Sequence, residues 1–273
     1  MATAQRESPQ PQHAAIRDAQ QSPLSPRWEL HLFDRWTLCG QDGQITLGLR
    51  EQRLLAVLAL YGPRSRSYVA GILWPDSTDA RAMGNLRAAV WHIEHAVSGL
   101  VLHTRTRLAL AEDVRLDVHE FLSAVRWVVG PDATFDKRQL GRAVAILQRG
   151  DLLPGWYDDW VLYERSRLAQ LRLRALESLA EQLVSVGDTR SALEAALAAV
   201  AIEPLRESAQ RALIRVHIAD GNYLDAVREY RTFRTRLAAE MDVSPSGQLE
   251  SMIHPLLVSR RARVRTSTAT ATA

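Results

Sequence analysis

The chain has 273 residues, of which 47% are hydrophobic and 24% are charged, so it is long enough to bury large cores and suits two domains better than one. Its formal net charge of +3 permits nucleic-acid binding without arguing for it, and its single cysteine excludes an internal disulfide and a multi-cysteine zinc site. The start is polar and carries no membrane-length apolar stretch, which predicts a cytoplasmic protein without a signal peptide or a membrane anchor.

Short strands are predicted to follow a polar N-terminal tail. Residues 1–26 are rich in Gln, Ser and Pro, a composition typical of disorder. Apolar runs at residues 28–33, 36–39 and 44–47 then favour strands, and Asp42-Gly43 favours a tight turn between the last two. We expect a small sheet in front of the first helix.

Three amphipathic segments predict three helices between residues 49 and 97. The first, Leu49–Tyr61, ends at the stop signal Gly62-Pro63, and the second, at residues 68–74, is closed by Pro75. The third, at residues 77–97, collects large and small apolar side chains on one face. This face belongs in a core, and it consists of Ala82, Leu86, Ala89, Val90, Ile93 and Val97.

The opposite face of the third helix is smooth and carries side chains suited to DNA. A strip of small residues recurs every four positions between two polar and aromatic borders: Ala80, Gly84 and Ala88 form the strip, Arg81, Asn85 and His92 one border, Arg87 and Trp91 the other. A glycine inside a helix costs about 1 kcal/mol relative to alanine, which close approach to a groove floor or to another helix would offset. Arginine and asparagine read guanine and adenine edges in the major groove. The helix alone leaves open whether the strip meets DNA or packs on a partner helix.

A short hairpin follows the third helix. Ser98-Gly99 breaks the helical period, and residues 101–110 form two apolar, largely alternating strands around a polar tip at residues 104–106. Arg105 and Arg107 lie at this tip. Three helices followed by such a hairpin favour a winged helix-turn-helix, in which one helix enters a DNA groove and a β-ribbon lies beside it.

The second half predicts a helical array. Its main sign is an internal interval of 34 residues, at which Gly187-Asp188 recurs as Gly221-Asn222 and Ala192 recurs as Ala226. This is the tetratricopeptide period, in which each helix pair exposes an apolar side that only the next pair can cover. We therefore expect helices near residues 118–129 and 137–148 to stack into the same array, and a last helix after Pro245 to cap it.

An aromatic group lies between the two halves. Trp156, Tyr157 and Trp160 follow Pro154-Gly155 and precede a long predicted helix. A docking surface is one interpretation, but tryptophan burial offers a large apolar gain, which favours a core plug beneath the bend. Asp158 and Asp159, which superficially suggest an acid/base pair, are expected to face solvent or to cap the helix.

Several separated stretches, in the correct order, resemble bacterial regulators of the SARP (Streptomyces antibiotic regulatory protein) family. In the first half they are LREQRLLAVLAL, ILWPD, NLRAAVWHI and VRLDVHEF. Further on, LLPGWYDDWVLYERSRL and EPLRESAQRALIRVHIADGNYLDAVREY resemble the bacterial transcriptional activator domain of those proteins. The resemblance spans residues 28–255 and implies an OmpR-like winged helix that binds promoter DNA, followed by tetratricopeptide-like repeats that support dimerisation and activation.

The sequence as a whole predicts a mainly α protein with a small β component, an N-terminal winged helix-turn-helix followed by an all-α tetratricopeptide-like helical array. The expected parts are a disordered tail at 1–26, an OmpR-like winged helix DNA-binding domain at 27–116, a bacterial transcriptional activator domain of helical repeats at 117–258 and a disordered basic tail at 259–273. The expected function is sequence-specific DNA binding that regulates transcription, as an activator of a biosynthetic gene cluster. Expected partners are double-stranded promoter DNA, a second copy in a homodimer and RNA polymerase subunits.

The predicted DNA-binding residues lie on the third helix and on the wing: Arg81, Asn85, Arg87, Trp91, His92, Arg105 and Arg107. From residue 28 to residue 116 ten arginines nearly balance nine acids, which predicts modest affinity for DNA. This balance also supports an alternative function, a protein-interaction scaffold whose winged helix has lost DNA binding.

No motif points to an enzyme, a cofactor or a metal site. The one lysine, Lys137, follows Phe135-Asp136 rather than a glycine, so the usual phosphate-binding loop is excluded. His92 and His95 have ligand-like spacing, but no third ligand is identified nearby. We therefore expect no catalytic residues, no cofactor and no metal.

Overall fold

The structure is a computed structural model that describes residues 26–130 and 137–270, and for Lys137 and residues 259–270 it describes the backbone alone. The elements of the first half, in chain order, are β1 (Trp28–His31), β2 (Thr37–Gly40), β3 (Gly43–Ile45), α1 (Leu49–Tyr61), β4 (Arg64–Ser65), α2 (Arg66–Leu73), α3 (Asp79–Ala96), β5 (Val101–His103), β6 (Arg107–Leu110) and β7 (Val114–Leu116). They form a winged helix-turn-helix, as the sequence predicted.

Two small sheets enclose the three helices of this half. The first has the strand order β3-β2-β1-β7, with β1 and β7 parallel and the other pairs antiparallel. The second has the order β4-β6-β5 and contains the wing hairpin. The strands β4 and β7 were not predicted, because each is two or three residues long and pairs with a strand far away in the sequence.

Helix boundaries in this half follow local chemistry. The bounds predicted for α1 are confirmed, and the helix ends where Gly62 takes a φ of 69°. The second helix begins at Arg66, two residues before the predicted start, because Ser65 caps it by accepting a hydrogen bond from the Tyr68 N–H at 3.2 Å. Arg66 and Ser67 are therefore the first two residues of α2.

The named elements of the second half, within the described residues, are all helices. Its elements are α4 (Asp117–Val129), α5 (Lys137–Leu147), α6 (Asp159–Ser185), α7 (Thr189–Ile202), α8 (Glu207–Ala219), α9 (Tyr223–Met241) and α10 (Gly247–Thr270). Gly187 and Gly221, which are 34 residues apart, both have a φ of 76° and begin the turns before α7 and α9, so the predicted interval marks equivalent turns. No helix within residues 26–130 and 137–270 combines the length and apolarity that a membrane crossing needs.

The two predicted terminal tails have different outcomes. The first, at 1–26, lies outside the described residues except for Pro26. The second begins at residue 259, whereas the backbone of α10 continues as a helix to Thr270. The helical backbone there differs from the predicted disorder, which was based on the polar, basic composition of this segment.

The halves are joined by one continuous apolar core and a network of hydrogen bonds. Asp117, at the start of α4, is buried and accepts the backbone N–H groups of Leu32 at 2.9 Å and Phe33 at 3.0 Å. The Leu153 N–H donates a hydrogen bond to the Leu32 carbonyl at 2.8 Å, and Phe33 forms a β-bridge with Leu152. These hydrogen bonds therefore fix the segment after β1 both to the start of α4 and to the segment between α5 and α6 that contains Leu152 and Leu153.

The aromatic group beneath the bend is only partly a core plug. Trp160 is buried and Trp156 is half-buried, with their rings edge to face at a centroid distance of 6.4 Å. Tyr157 is 78% exposed and does not belong to the core. Asp158 is half-buried and forms an ion pair with Arg53 of α1 instead of capping α6 with its side chain.

Candidate DNA interface

Helix α3 has one buried face and one face that the rest of the described chain leaves open. The six side chains predicted for the core are all buried, with Val97 the most exposed at 7%. On the opposite face Arg81, Arg87 and His92 are exposed and Asn85 is partly exposed. Trp91, an aromatic residue that a core would normally take, is 57% exposed.

At its glycine, this face accommodates no other helix of the described chain. A Cβ atom added to Gly84 would meet only the guanidinium of Arg87, at 3.8 Å. No described helix therefore packs on the strip at Gly84, and a glycine in the middle of α3 has no internal packing reason. The strip at Gly84 is therefore open to contact with another molecule.

Three ring side chains form a cluster toward the C-terminal end of this face. The rings of Trp91 and His95 lie 3.8 Å apart between centroids, and His95 Nδ1 donates a hydrogen bond to the Trp91 carbonyl at 2.8 Å. His92 lies edge-on to Trp91, with its Nδ1 atom 3.5 Å from Glu51 Oε1 of α1. The His92 side chain remains 54% exposed.

The wing is a tight hairpin whose turn is held by a threonine. The Thr104 N–H donates to the Arg107 carbonyl at 2.9 Å, and the Thr104 hydroxyl oxygen accepts the Arg107 N–H at 3.0 Å. This threonine fixes the tip without the φ-tolerant glycines that many hairpin turns use. Arg105 and Arg107 are both exposed beside it.

Two arginines beside the wing were missed at the level of sequence. The Arg66 N–H donates to the Thr106 carbonyl at 2.9 Å, and its guanidinium donates to the Thr104 carbonyl at 3.0 Å. The Arg64 guanidinium lies over the Tyr68 ring at 5.5 Å. The signal was the pair of arginines just before the second helix, but only the pairing of β4 with β6 brings them to the wing.

The guanidinium groups of this surface have no acidic partner. Arg81, Arg87, Arg105 and Arg107 make no side-chain hydrogen bond or ion pair with any residue of the described ranges 26–130 and 138–258. The nearby acid on α3, Glu94, is occupied: hydrogen bonds from the Ser98 hydroxyl and the Gly99 N–H lower the pKa of its carboxyl, which closes the end of the helix. These four guanidinium groups are therefore unpaired within the described ranges.

The structure groups the predicted residues in two places. Arg81, Asn85 and His92 share one side of the strip on α3, while Arg87 and Trp91 lie on the other side. Arg105 and Arg107 lie apart from them, on the wing that follows α3 directly. Within the described part of the chain, no group of three His, Cys, Asp or Glu side chains is arranged to hold a metal ion.

Comparisons with known proteins agree with this architecture. Residues 116–257 match the family described as the bacterial transcriptional activator domain. The chain is similar to Regulatory protein AfsR of Streptomyces coelicolor, with 27% identity over 244 residues; the match covers 85% of this chain and 24% of AfsR. The chain thus spans about a quarter of the length of that relative.

A solved structure shows the same fold. Mycobacterium tuberculosis EmbR, in complex with low affinity phosphopeptide, superposes with a TM-score of 0.67 at 18% identity, covering 90% of this chain and 70% of the EmbR chain. The likeness extends over both halves, from the strands at the N-terminus through the helical array.

Proposed function

Because the chain belongs to the family defined by the bacterial transcriptional activator domain, as a SARP-type transcriptional regulator, we propose that it binds promoter DNA sequence-specifically through α3 and the wing. The observation that carries this proposal is the open face of α3. It combines a smooth strip, a glycine with no internal packing reason and guanidinium groups without acidic partners.

The proposed roles follow from position along α3. Arg81 and Asn85 lie toward the start of the helix, where base edges are usually reached, and their side chains match guanine and adenine. Arg87 suits a phosphate on the flank of the groove, with Trp91 beside it. Arg105 and Arg107 suit phosphates along the wing.

Arg64 and Arg66 extend the phosphate-binding surface to the start of α2. Both arginines lie beside the wing because β4 pairs with β6. Arg66 is also hydrogen-bonded to the wing turn through its backbone and its side chain. With about three to five phosphate contacts per subunit, log K for DNA should fall with log salt at a slope of about −3 to −5. This modest slope fits the near balance of charge in the winged half.

Arg81→Ala and Arg107→Ala test the proposal on two duplexes, one selected by the wild-type chain and one of random sequence. Loss of a base contact at Arg81 should cost about 1 to 3 kcal/mol on the selected duplex and relax sequence preference. Loss of a phosphate contact at Arg107 should weaken both duplexes alike. Arg190→Ala, which removes an exposed charge from α7 in the array, is the matched control and should leave binding unchanged.

Equal losses on both duplexes for Arg81→Ala and Arg107→Ala would contradict the assigned roles. Failure of the wild-type chain to bind any duplex at low ionic strength would contradict DNA binding itself. That second outcome would favour the scaffold function, for which the near balance of ten arginines and nine acids is the supporting observation.

We further propose that the helical array, residues 117–258, serves assembly and transcriptional activation rather than catalysis. Each helix pair of such an array offers a surface to the next pair or to a partner. A homodimer on promoter DNA and a contact with RNA polymerase subunits are the proposed uses, in the cytoplasm, at promoters of a biosynthetic gene cluster. Analytical ultracentrifugation of the full chain, with and without its selected duplex, tests dimerisation directly.

A further inference from the structure

One histidine of α3 lies beside a buried acid from another helix. Glu51 lies in the first turn of α1, is only 6% exposed, and its Oε1 atom is 3.5 Å from His92 Nδ1. An ionised carboxylate only accepts hydrogen bonds, so its field favours the tautomer in which Nδ1 carries the proton. In a neutral imidazole the other nitrogen, Nε2, is then a bare acceptor.

The glycine before α1 makes room for the acid. A Cβ atom added to Gly48 would clash with the Oε2 atom of Glu51. Glu51 therefore folds back over the start of its own helix, and its second oxygen faces His92. In this arrangement the carboxylate of Glu51 has less freedom to move than that of an exposed surface glutamate.

The neighbouring histidine reaches the same tautomer by a different route. His95 Nδ1 is 2.8 Å from the Trp91 carbonyl oxygen, which has no hydrogen to donate, so Nδ1 must be the donor. Its tautomer depends on the backbone of α3 and not on Glu51. His95 thus provides an internal control for any change made at Glu51.

His92 shares the strip border with Asn85, two helical turns away. Seven residues of α-helix span about 10.5 Å, which corresponds to about three base-pair steps along a groove. Cytosine and adenine present exocyclic amino donors in the major groove, whereas guanine and thymine present oxygen acceptors that would oppose a bare Nε2 atom. An outward acceptor at this position therefore discriminates between bases.

Resting on the proposed DNA binding, we propose that His92 is a specificity-determining residue that accepts a hydrogen bond from the amino group of cytosine or adenine, and that Glu51 is its positioning residue. Glu51 acts through the imidazole and does not touch DNA. The inference deepens the function of α3 by assigning the chemical class of base that one position of the binding site must contain.

Selection from a randomised duplex library at about pH 8, where ordinary histidines are neutral, tests the base preference. The full-length wild type should prefer cytosine or adenine at one position, about three base pairs from the position affected by Asn85→Ala. We expect a preference of about fivefold, as one hydrogen bond contributes. Both His92→Ala and Glu51→Gln should reduce that preference below about twofold at this position alone.

His95→Ala should leave the preference at that position intact. A Glu51→Gln variant that retains the full preference, while its DNA affinity remains measurable, would overturn the role of Glu51. A His92→Ala variant that retains it would overturn the role of His92 and leave the proposed DNA binding standing.

A second measurement separates this inference from the proposed function. The ¹⁵N shifts of the imidazole nitrogens, recorded on the free full-length chain, report which nitrogen of each histidine is protonated. His92 and His95 should both carry the proton on Nδ1, and Glu51→Gln should change the His92 shifts while leaving those of His95 unchanged. A His92 protonated on Nε2 in the wild type would overturn the inference even if the chain binds DNA well.

Discussion

Two arginine-rich regions of the molecule use the same side chain in opposite ways. On α3 and the wing, the guanidinium groups have no partner among the described residues and lie in the open. At the junction of the two halves every member of a second set is engaged by a carboxylate, a carbonyl or an aromatic ring: Arg53, Arg149, Arg165 and Arg172. The difference lies in the acceptors that the fold supplies, so the arginine count of a region does not by itself identify a DNA-binding surface.

The junction arginines stabilise backbone that has no regular hydrogen bonding of its own. Arg165 donates to the carbonyls of Leu152, Leu153 and Trp156. Arg172 donates to the Gly150 carbonyl at 2.8 Å and lies over the ring of Phe33, and burial lowers the pKa of its guanidinium. The segment between α5 and α6 is thereby fixed on α6, and the winged half is joined to the array through it.

Arg165→Ala should produce the largest effect, a loss of about 3 to 4 kcal/mol in the free energy of unfolding. Three charge-assisted hydrogen bonds disappear together, and the Leu152 and Trp156 carbonyls lose the donor that Arg165 supplies, while the Leu153 carbonyl keeps the Trp156 N–H at 3.1 Å. Urea unfolding of the full chain measures the loss. Arg174→Ala removes an exposed guanidinium from the same helix and should change stability by less than about 0.5 kcal/mol; equal effects of the two variants would contradict the proposed difference between engaged and free arginines.

Asp117→Ala should cost about 2 to 3 kcal/mol at neutral pH, because it leaves the buried N–H groups of Leu32 and Phe33 unpaired. Burial raises the pKa of Asp117, against the opposing effect of these two N–H groups. A raised pKa contributes stability that is fully present below the pKa of the unfolded state and is lost as the pH rises through the folded value. The difference between wild type and variant should therefore be larger near the ordinary aspartate pKa of about 3.9 than at about pH 7.

Unfolding free energies of both proteins at several pH values between these limits test the sign. A difference that shrinks as the pH falls would mean that the hydrogen bonds to the carboxylate outweigh its burial.

Gly84→Leu tests the free side of the comparison and should weaken DNA binding about tenfold, or about 1.4 kcal/mol. Its side chain would intrude on the strip that we propose faces the groove, while the fold loses nothing because the site is open. Helix propensity should even raise stability by up to about 1 kcal/mol. Gly141→Leu on α5 is the matched control, since a Cβ there meets nothing within 4 Å, and it should stabilise the chain without affecting DNA binding.

Unchanged affinity in Gly84→Leu would show that the strip does not approach DNA closely. Loss of both affinity and stability would instead show that the strip packs within the protein.

The sequence was sufficient for features whose signal is local. The stop at Gly62, the apolar face of α3 and the recurrence of glycine at Gly187 and Gly221 each depend on residues within a few turns or on a fixed period. The family resemblance added the order of the two halves. These signals predicted the fold and the open face of α3.

What could not be predicted depends on contacts across long separations. Strand β7 pairs with β1, which lies more than eighty residues earlier, and three residues carry too weak a pattern to show this. Arg66 reaches the wing only through the pairing of β4 with β6. In the sequence, Glu51 is only an acidic residue of the predicted first helix. No sequence pattern placed it against His92 of α3.

The smallest expected effect concerns an ion pair at the edge of the junction. Glu120 of α4 pairs with Arg149 at 2.8 Å and with Arg115. Burial alone would raise the pKa of Glu120, but the hydrogen bonds from Arg149 and Arg115 lower it below its usual range. A lowered pKa contributes stability above the pKa of the unfolded state, and this contribution is lost as the pH falls through the folded value.

Glu120→Gln should therefore cost about 0.5 to 1 kcal/mol at neutral pH, and the difference from wild type should close below the ordinary glutamate pKa of about 4.3. Urea unfolding at about pH 7 and about pH 3 measures both values. Added salt should reduce the loss at neutral pH, because the pair is partly exposed and its attraction is screened. A loss that stays constant with pH and salt would show that Glu120 contributes through the packing of α4 rather than through its ion pairs with arginines. The arginines at the junction would then be ordered by backbone carbonyls and aromatic rings more than by acids.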